Sequence, residues 1–145
     1  LGAGGAARAV VAGVAAAGAG EVVVVNRTAD RAAAAADLAG PVGRAGSTDD
    51  LATADVVVNA TPLGMGASSQ MPCPPRLLRR GQVVVDLVYD PLQTPWLAAL
   101  RAAGVDSHNG LSMLVHQAAL AFELWTGVEA PLGAMREAVP GEPRA

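Results

Sequence analysis

The chain alternates short apolar runs with longer Ala-rich stretches, and this alternation predicts its architecture. The clearest runs consist of valine and are bounded by Gly or polar residues: Val22–Val25, Val56–Val58 and Val83–Val85. β-Branched residues in short, nearly continuous runs favour strands that are buried on both faces. The predicted strands cover residues 21–26, 42–45, 55–60, 82–88 and 105–108.

The stretches between these runs have helical spacing. In the first of them, Ala7, Val10, Val11 and Val14 share one stripe, and Gly18 ends the helix. The predicted helices cover residues 6–17, 29–38, 94–103, 111–126 and 132–139, with one helical turn at 48–52 and a loop at 64–75. Strands that alternate with helices predict an α/β fold with a Rossmann-like, doubly wound parallel sheet. Such sheets bind ligands beyond the carboxyl ends of their strands.

The first eight residues, LGAGGAAR, have the pattern of a phosphate-binding turn. Gly2, Gly4 and Ala7 occupy the small positions of a G-x-G-x-x-[G/A] fingerprint, which allow a tight turn, close approach of a pyrophosphate and close helix packing. A strand should lead into this turn. We therefore expect the first, central strand to be truncated at Leu1, the chain to be a fragment, and its stability in isolation to be low.

The end of the second predicted strand indicates which dinucleotide is bound. An NAD site usually places Asp or Glu about 20 residues past the first glycine. Here Asn26, Arg27 and Thr28 stand at that place, and Arg31 follows one turn later. Two guanidinium groups and a hydroxyl suit a 2′-phosphate and predict NADP. Thr28 is also a candidate helix cap. The alternative is that both Arg residues are solvated surface charges.

Composition limits the remaining possibilities. A net charge of −3 gives no field that would attract nucleic acid or an anionic membrane, and the apolar stretch near the start is too short to span a bilayer. The lone Cys73 is expected to be an inert loop residue and fits a reducing cytoplasm. We expect one domain over residues 1–139, a tail over 140–145 and no metal site.

The longest predicted helix begins after Gly110, which would present bare backbone to the cleft, with Gln117 adding one amide. Its apolar stripe consists of Leu111, Leu114, Val115, Ala118, Phe122 and Trp125. Gln117 has two donors and one acceptor for a polyhydroxylated ring. Taken alone, Gln117 is better interpreted as an ordinary surface residue.

Together these residues resemble the NADP-binding C-terminal domain of shikimate dehydrogenases. The resemblance runs through LGAGGAARAV, NRTADRA, NATPLGM, DLVYDPLQTPWL and NGLSMLVHQAALAFELWTG. It implies reversible NADPH-dependent reduction of 3-dehydroshikimate to shikimate, in aromatic amino acid biosynthesis. It also implies a substrate that is shared with an N-terminal domain absent from this sequence.

By resemblance, residues matching the family pattern take roles at the cofactor and the substrate. The pyrophosphate turn would be Gly2, Gly4, Gly5 and Ala6, and the 2′-phosphate clamp Asn26, Arg27, Thr28 and Arg31. Around the nicotinamide would lie Thr61, Leu87 and the carbonyl of Gly110. Tyr89 and Gln117 would contact substrate. Tyr89 has a second interpretation, in which it closes the core with its hydroxyl at the rim.

The catalytic pair of the family, a Lys and an Asp, belongs to the N-terminal domain, and all ten basic residues here are Arg. We therefore expect no catalytic residue in this chain. His116 is the tempting substitute, but its neighbour Gln117 points about 100° away from it on the helix. Asp86 and Asp90 are explained by turns around Pro91. Alternatives are a quinate/shikimate dehydrogenase that uses NAD and a non-catalytic nucleotide-binding fragment. The oligomeric state stays open, with a homodimer as one option.

Overall fold

The computed structural model describes residues 1–139, in which helices and strands alternate as the hydrophobic pattern predicts. The helices are α1 (Gly5–Ala16), α2 (Ala29–Ala36), α3 (Pro95–Ala102), α4 (Leu111–Thr126) and α5 (Leu132–Glu137). The strands are β1 (Val22–Val24), β2 (Gly43–Ala45), β3 (Val56–Asn59), β4 (Val83–Asp86) and β5 (Asp106–His108). Short 3₁₀ segments occupy Asp37–Val42, Thr48–Ala52 and Pro75–Leu77. The expected tail, 140–145, lies outside the described residues.

All strand pairs described are parallel, which confirms the α/β, Rossmann-like fold class. β1 pairs with β2, and β3, β4 and β5 form a second sheet in that order. Val56 faces Val83 across the β3–β4 pair, and the register ends with Asn59 opposite Asp86. The branched side chain of valine packs well on a pleated surface, and Val57 and Val84 are buried while Val56 and Val83, at the strand starts, are exposed. Two polar side chains thus meet where both valine runs stop.

The Leu1–Gly2 segment joins the two sheets at one end. The Leu1 nitrogen donates to the Val58 carbonyl (2.7 Å), and the Gly2 amide donates to the Val25 carbonyl (2.8 Å). Beyond this segment, a cleft of about 520 Å³ separates β1 from β3 and is lined by valines of both strands. The backbone of residues 1 and 2 therefore occupies the position that a strand between β1 and β3 would have.

Two apolar cores lie on either side of this cleft. One, around β1 and α2, consists mostly of Val and Ala, including Val24, Ala35 and Ala36. The other, around β3 and β4, contains the larger Trp96 and Leu100, which are fully buried. Small side chains let α2 pack close to β1, which brings the start of that helix to the strand end where chemistry is expected.

The helices depart from expectation in three places. α2 ends at Ala36 and continues as a 3₁₀ segment through Val42. Thr28 holds the N-cap position of α2, but its hydroxyl makes no capping hydrogen bond. α4 buries Leu111, Val115 and Ala119, whereas Trp125, at the end of the predicted stripe, is 82% exposed. Within residues 1–139, no helix combines the length and apolarity needed to cross a membrane.

Candidate functional site

The glycine turn lies at the carboxyl ends of β1 and β3. Gly2 has φ of +103°, a conformation that L side chains rarely adopt, and a Cβ there would come within 2.9 Å of the Ala60 carbonyl oxygen. The Leu1 carbonyl accepts from the Ala60 amide (2.8 Å). The chain therefore turns tightly between two strand ends before α1 begins, as the fingerprint predicts.

Gly4 and Gly5 border open space at the start of α1. A Cβ built on either residue has no other atom within 4 Å. Gly4 is the N-cap of α1, and the first amides of a helix have no partner within the helix. Exposed N–H groups, a positive dipole end and room for close approach make this turn suitable for a phosphate group.

The segment after β1 carries the candidate phosphate clamp. Asn26 donates through Nδ2 to the Thr28 carbonyl (3.0 Å), which shapes the turn into α2. Arg27 and Arg31 are exposed, and within residues 1–139 neither forms a salt bridge. Asp30, in the first turn of α2, lies between the two arginines in sequence and adds a carboxylate to this segment. The arginines are thus available to an anion, with a net charge of +1 in the group.

Thr61 lies beside the glycine turn. Its hydroxyl donates to Asn59 Oδ1 (2.6 Å), and its amide donates to the same oxygen (3.0 Å). Its methyl group would be 3.1 Å from a Cβ at Gly2. A threonine proposed to lie beside the cofactor is thus oriented by the fully buried Asn59.

Leu87 and Gly110 are in direct contact. A Cβ on the buried Gly110 would overlap the carbonyl oxygen of Leu87. The Gly110 amide donates to the Val88 carbonyl (3.1 Å), and its own carbonyl accepts from Leu114 (3.0 Å) within α4. The Leu87 amide in turn donates to the Asn59 carbonyl (2.9 Å). The structure therefore brings Gly2, Thr61, Leu87 and Gly110 to one edge of the sheet.

The two predicted substrate contacts stand apart from this set. Tyr89 is 41% exposed, so it does not close the core. Gln117 is exposed, and its amide donates to the Leu114 carbonyl one turn back on α4 (3.2 Å). Among residues 1–139, no hydrogen bond joins either side chain to the cofactor residues. His116 instead contacts α5, with its Nε2 3.0 Å from an Arg136 nitrogen.

A buried polar network at the strand ends was not foreseen. Asn59, Asp86 and Thr94 have no exposed surface, and Asp86 accepts hydrogen bonds from both of the others. The assignment of Asp86 to a turn accounts for one of its bonds, from the Val88 amide (3.2 Å). The sequence did contain one sign of this network, since Asn59 and Asp86 each follow a valine run. Parallel strands bring residues at such equivalent positions side by side.

The side chains of Cys73 and Asp50, outside this network, have pKa values that their surroundings shift. Burial raises the pKa of the Cys73 thiol, which disfavours the reactive thiolate form. The Arg44 guanidinium beside Asp50 lowers the pKa of that exposed carboxyl.

Two family models match the chain. Residues 1–89 match the model described as NADP oxidoreductase, coenzyme F420-dependent, and residues 110–139 match the Shikimate 5'-dehydrogenase C-terminal domain. A shikimate dehydrogenase (NADP(+)) from Moorella thermoacetica is 48% identical over 146 residues, which cover 93% of this chain and 50% of that protein. The chain matches the NADP-binding C-terminal region of the shikimate dehydrogenase family. It spans about half the length of the curated shikimate dehydrogenases that it matches.

Solved structures of this family share the fold. The shikimate 5-dehydrogenase of Thermus thermophilus, in complex with NADP(H) and shikimate, superposes with a TM-score of 0.85 at 44% identity, covering 94% of this chain and 51% of that one. The quinate dehydrogenase of Corynebacterium glutamicum, in complex with NAD, has a TM-score of 0.86 at 36% identity over the same shares. Fold similarity alone thus does not separate these two members of the group, and their named cofactors differ.

Proposed function

We propose that this chain is the NADP-binding half of a shikimate dehydrogenase, an oxidoreductase of the cytoplasm. The observation that carries the proposal is the exposed pair Arg27 and Arg31, without salt bridges within residues 1–139, next to a glycine turn and a helix N-terminus. Bound NADP would supply the nicotinamide that accepts or returns a hydride. The free, buried Cys73 agrees with a reducing compartment.

Each part of the site has a task in this proposal. The amides at the start of α1 would hold the pyrophosphate, which approaches because Gly4 and Gly5 leave space. Arg27 and Arg31 would pair with the 2′-phosphate, to which a guanidinium group can donate two parallel hydrogen bonds. Thr61, Leu87 and Gly110 would form the wall beside the nicotinamide and orient it by contact.

The substrate would be held together with a second half of the protein. Tyr89 and Gln117 are exposed, which leaves both free to contact a polyhydroxylated ring. The exposed apolar residues Leu124 and Trp125 on α4 support docking of another polypeptide segment there. By resemblance, that half carries the Lys and Asp that handle the proton, and this sequence has no Lys. We therefore propose that residues 1–145 alone do not turn over shikimate, and measurable turnover with NADP would contradict this.

The clamp is tested by Arg27→Asp in the full-length protein. Charge-assisted hydrogen bonds contribute about 1.5–3 kcal/mol, so the Kd for NADP should rise about 10- to 100-fold. The Kd for NAD should change far less because NAD has no 2′-phosphate. Arg76→Asp, at another exposed Arg in the 3₁₀ segment beside α3, is the control and should leave both values unchanged. An equal rise of both Kd values in Arg27→Asp would refute the clamp.

A second candidate is a quinate/shikimate dehydrogenase that uses NAD. This candidate is supported by the TM-score of 0.86 with a quinate dehydrogenase in complex with NAD. The Arg27 and Arg31 pair argues against it, because an NAD site has an acidic residue for the ribose 2′-hydroxyl. Comparison of kcat/KM for NADP and NAD, each with shikimate and with quinate, decides between them. A third candidate is a nucleotide-binding fragment without a catalytic role. It predicts that the full-length protein binds NADP but does not turn over shikimate.

A further inference from the structure

Asp86 is a fully buried carboxylate at the carboxyl end of β4. It accepts from Asn59 Nδ2 (2.8 Å) and the Val88 amide (3.2 Å) through Oδ1, and from the Thr94 hydroxyl (2.8 Å) through Oδ2. A buried carboxylate is costly unless donors surround it, and here three donors do. Because three donors are arranged around this one carboxylate, we expect Asp86 to have a role in the fold or in the site.

One branch of the network leads to Thr61. Asn59 must turn Nδ2 towards Asp86, because its Oδ1 faces two donors, the amide and the hydroxyl of Thr61 (3.0 and 2.6 Å). Asn59 Nδ2 also reaches the Leu63 carbonyl (3.4 Å). The carboxylate of Asp86 thus sets the amide orientation of Asn59, which in turn sets the position of Thr61.

The other branches lead to the opposite wall. The Val88 amide bonds to Asp86, and the Val88 carbonyl accepts from Gly110 at the start of α4 (3.1 Å). Thr94 caps α3 by accepting from the Leu97 amide (3.2 Å) while it donates to Asp86. One side chain therefore connects the turn after β3, the turn after β4 and the start of α3.

We infer that Asp86 is a positioning residue that holds the two walls of the nicotinamide pocket, Thr61 on one side and Leu87 with Gly110 on the other, at a set separation. This inference rests on the proposed function. Asp86 touches neither cofactor nor substrate in this assignment. The phosphate clamp, Arg27 and Arg31, is exposed and follows β1, whose buried valines pack in the other core, so the two halves of the cofactor site respond separately.

The test is Asp86→Asn in the full-length protein, with Kd measured by calorimetry for NADP and for adenosine 2′,5′-bisphosphate. The bisphosphate has the clamp's phosphate but lacks the nicotinamide and its ribose. Asn keeps the shape but puts an NH₂ group against a donor. We expect the Kd for NADP to rise at least tenfold and the Kd for the bisphosphate to stay within twofold. An equal rise in both, or no change in either, overturns the inference.

A matched control lies at the other end of the same strand. Gln82 is 1% exposed, donates to the carbonyls of Leu51 and Ala54 (2.7 Å each) and accepts from the Arg79 amide (2.8 Å). Gln82→Met should lower the melting temperature and leave both Kd values within twofold. If Gln82→Met weakens NADP selectively as Asp86→Asn does, the effect is general destabilisation and the inference is overturned.

A milder variant keeps the test decisive if Asp86→Asn does not fold. Thr94→Val removes one of the three donors to Asp86 and preserves side-chain shape. We expect the same selective rise in the Kd for NADP, about threefold, and equal or absent changes in the two Kd values overturn the inference. Failure of the proposed function looks different, since the unaltered protein would then bind neither NADP nor the bisphosphate.

Discussion

Gly110 packs its backbone directly against the carbonyl group of Leu87. A Cβ at position 110 would overlap that oxygen, which belongs to backbone and cannot rotate away. The contact joins the start of α4 to the turn after β4, where the cofactor residues gather. It explains why a residue without a side chain stands at this position, although its φ of −81° is open to any residue.

Gly110→Ala should therefore destabilise the fold and weaken cofactor binding together. Overpacking in a well-packed site costs about 1–3 kcal/mol, because backbone on one side must shift. Denaturant unfolding and the Kd for NADP measure the two effects. Gly133→Ala in α5 is the control, since a Cβ there has no other atom within 4 Å. Equal stability of Gly110→Ala and Gly133→Ala would show that the Leu87 contact is not tight.

Gly4→Ala should separate binding from folding. Its φ is −80° and a Cβ has no neighbour within 4 Å, so the free energy of unfolding should fall by no more than about 1 kcal/mol, the cost of Ala at an N-cap. The added methyl would instead occupy the approach of the pyrophosphate and raise the Kd for NADP about tenfold or more. Gly13→Ala, in open space within α1, should leave the Kd unchanged and gain up to about 1 kcal/mol from helix propensity. If Gly4→Ala binds NADP as tightly as the unaltered protein does, the pyrophosphate does not bind at this turn.

Asp30→Asn should strengthen NADP binding. The carboxylate lies in the first turn of α2 beside Arg27 and Arg31, where it opposes a 2′-phosphate. Removing one exposed charge is worth about 0.3–1 kcal/mol, so the Kd for NADP should fall about two- to fivefold, and less in high salt. The same change costs helix stability, since Asp favours a helix N-terminus. Asp37→Asn, at the end of α2, is the control. A lower Kd for NAD by the same factor would contradict the assignment.

The Cys73 thiol should be protected from chemical labelling in the folded protein. The free energy of unfolding should also depend on pH in the alkaline range because of this thiol. Burial raises the pKa of its thiol in the folded state above the ordinary value of 9.0. The folded state thus prefers the protonated thiol, so its contribution is present below pH 9.0 and is lost as pH rises through the folded-state pKa. Thiol labelling at mildly alkaline pH should be slow until denaturant is added. Cys73→Ala should remove the alkaline part of the stability profile, and an unchanged profile would contradict this origin.

Part of this arrangement follows from local pattern. The valine runs placed β1, β3 and β4 within two residues of their observed bounds, because branched side chains favour the extended backbone of a strand. The glycine spacing indicated a tight turn, and Gly2 has the positive φ that such a turn requires. Helix ends were also predicted to within two residues, and the bounds of α4 match the prediction. Thr28 has the right type for a cap, yet its hydroxyl makes no such bond, since propensity does not set a rotamer.

The sequence by itself determined the order of strands and helices, the glycine turn and the basic residues after β1, because each depends on neighbours a few positions away. Only the tertiary structure decided that Asp86 accepts a hydrogen bond from Asn59, 27 residues away in the chain, and that the Leu87 carbonyl contacts Gly110. It likewise left Trp125 exposed at the end of an apolar stripe. Hydrogen-bond partners and burial depend on which distant segments of the chain pack together. Hydrophobic periodicity reports only on neighbours a few positions away, so it does not predict these contacts.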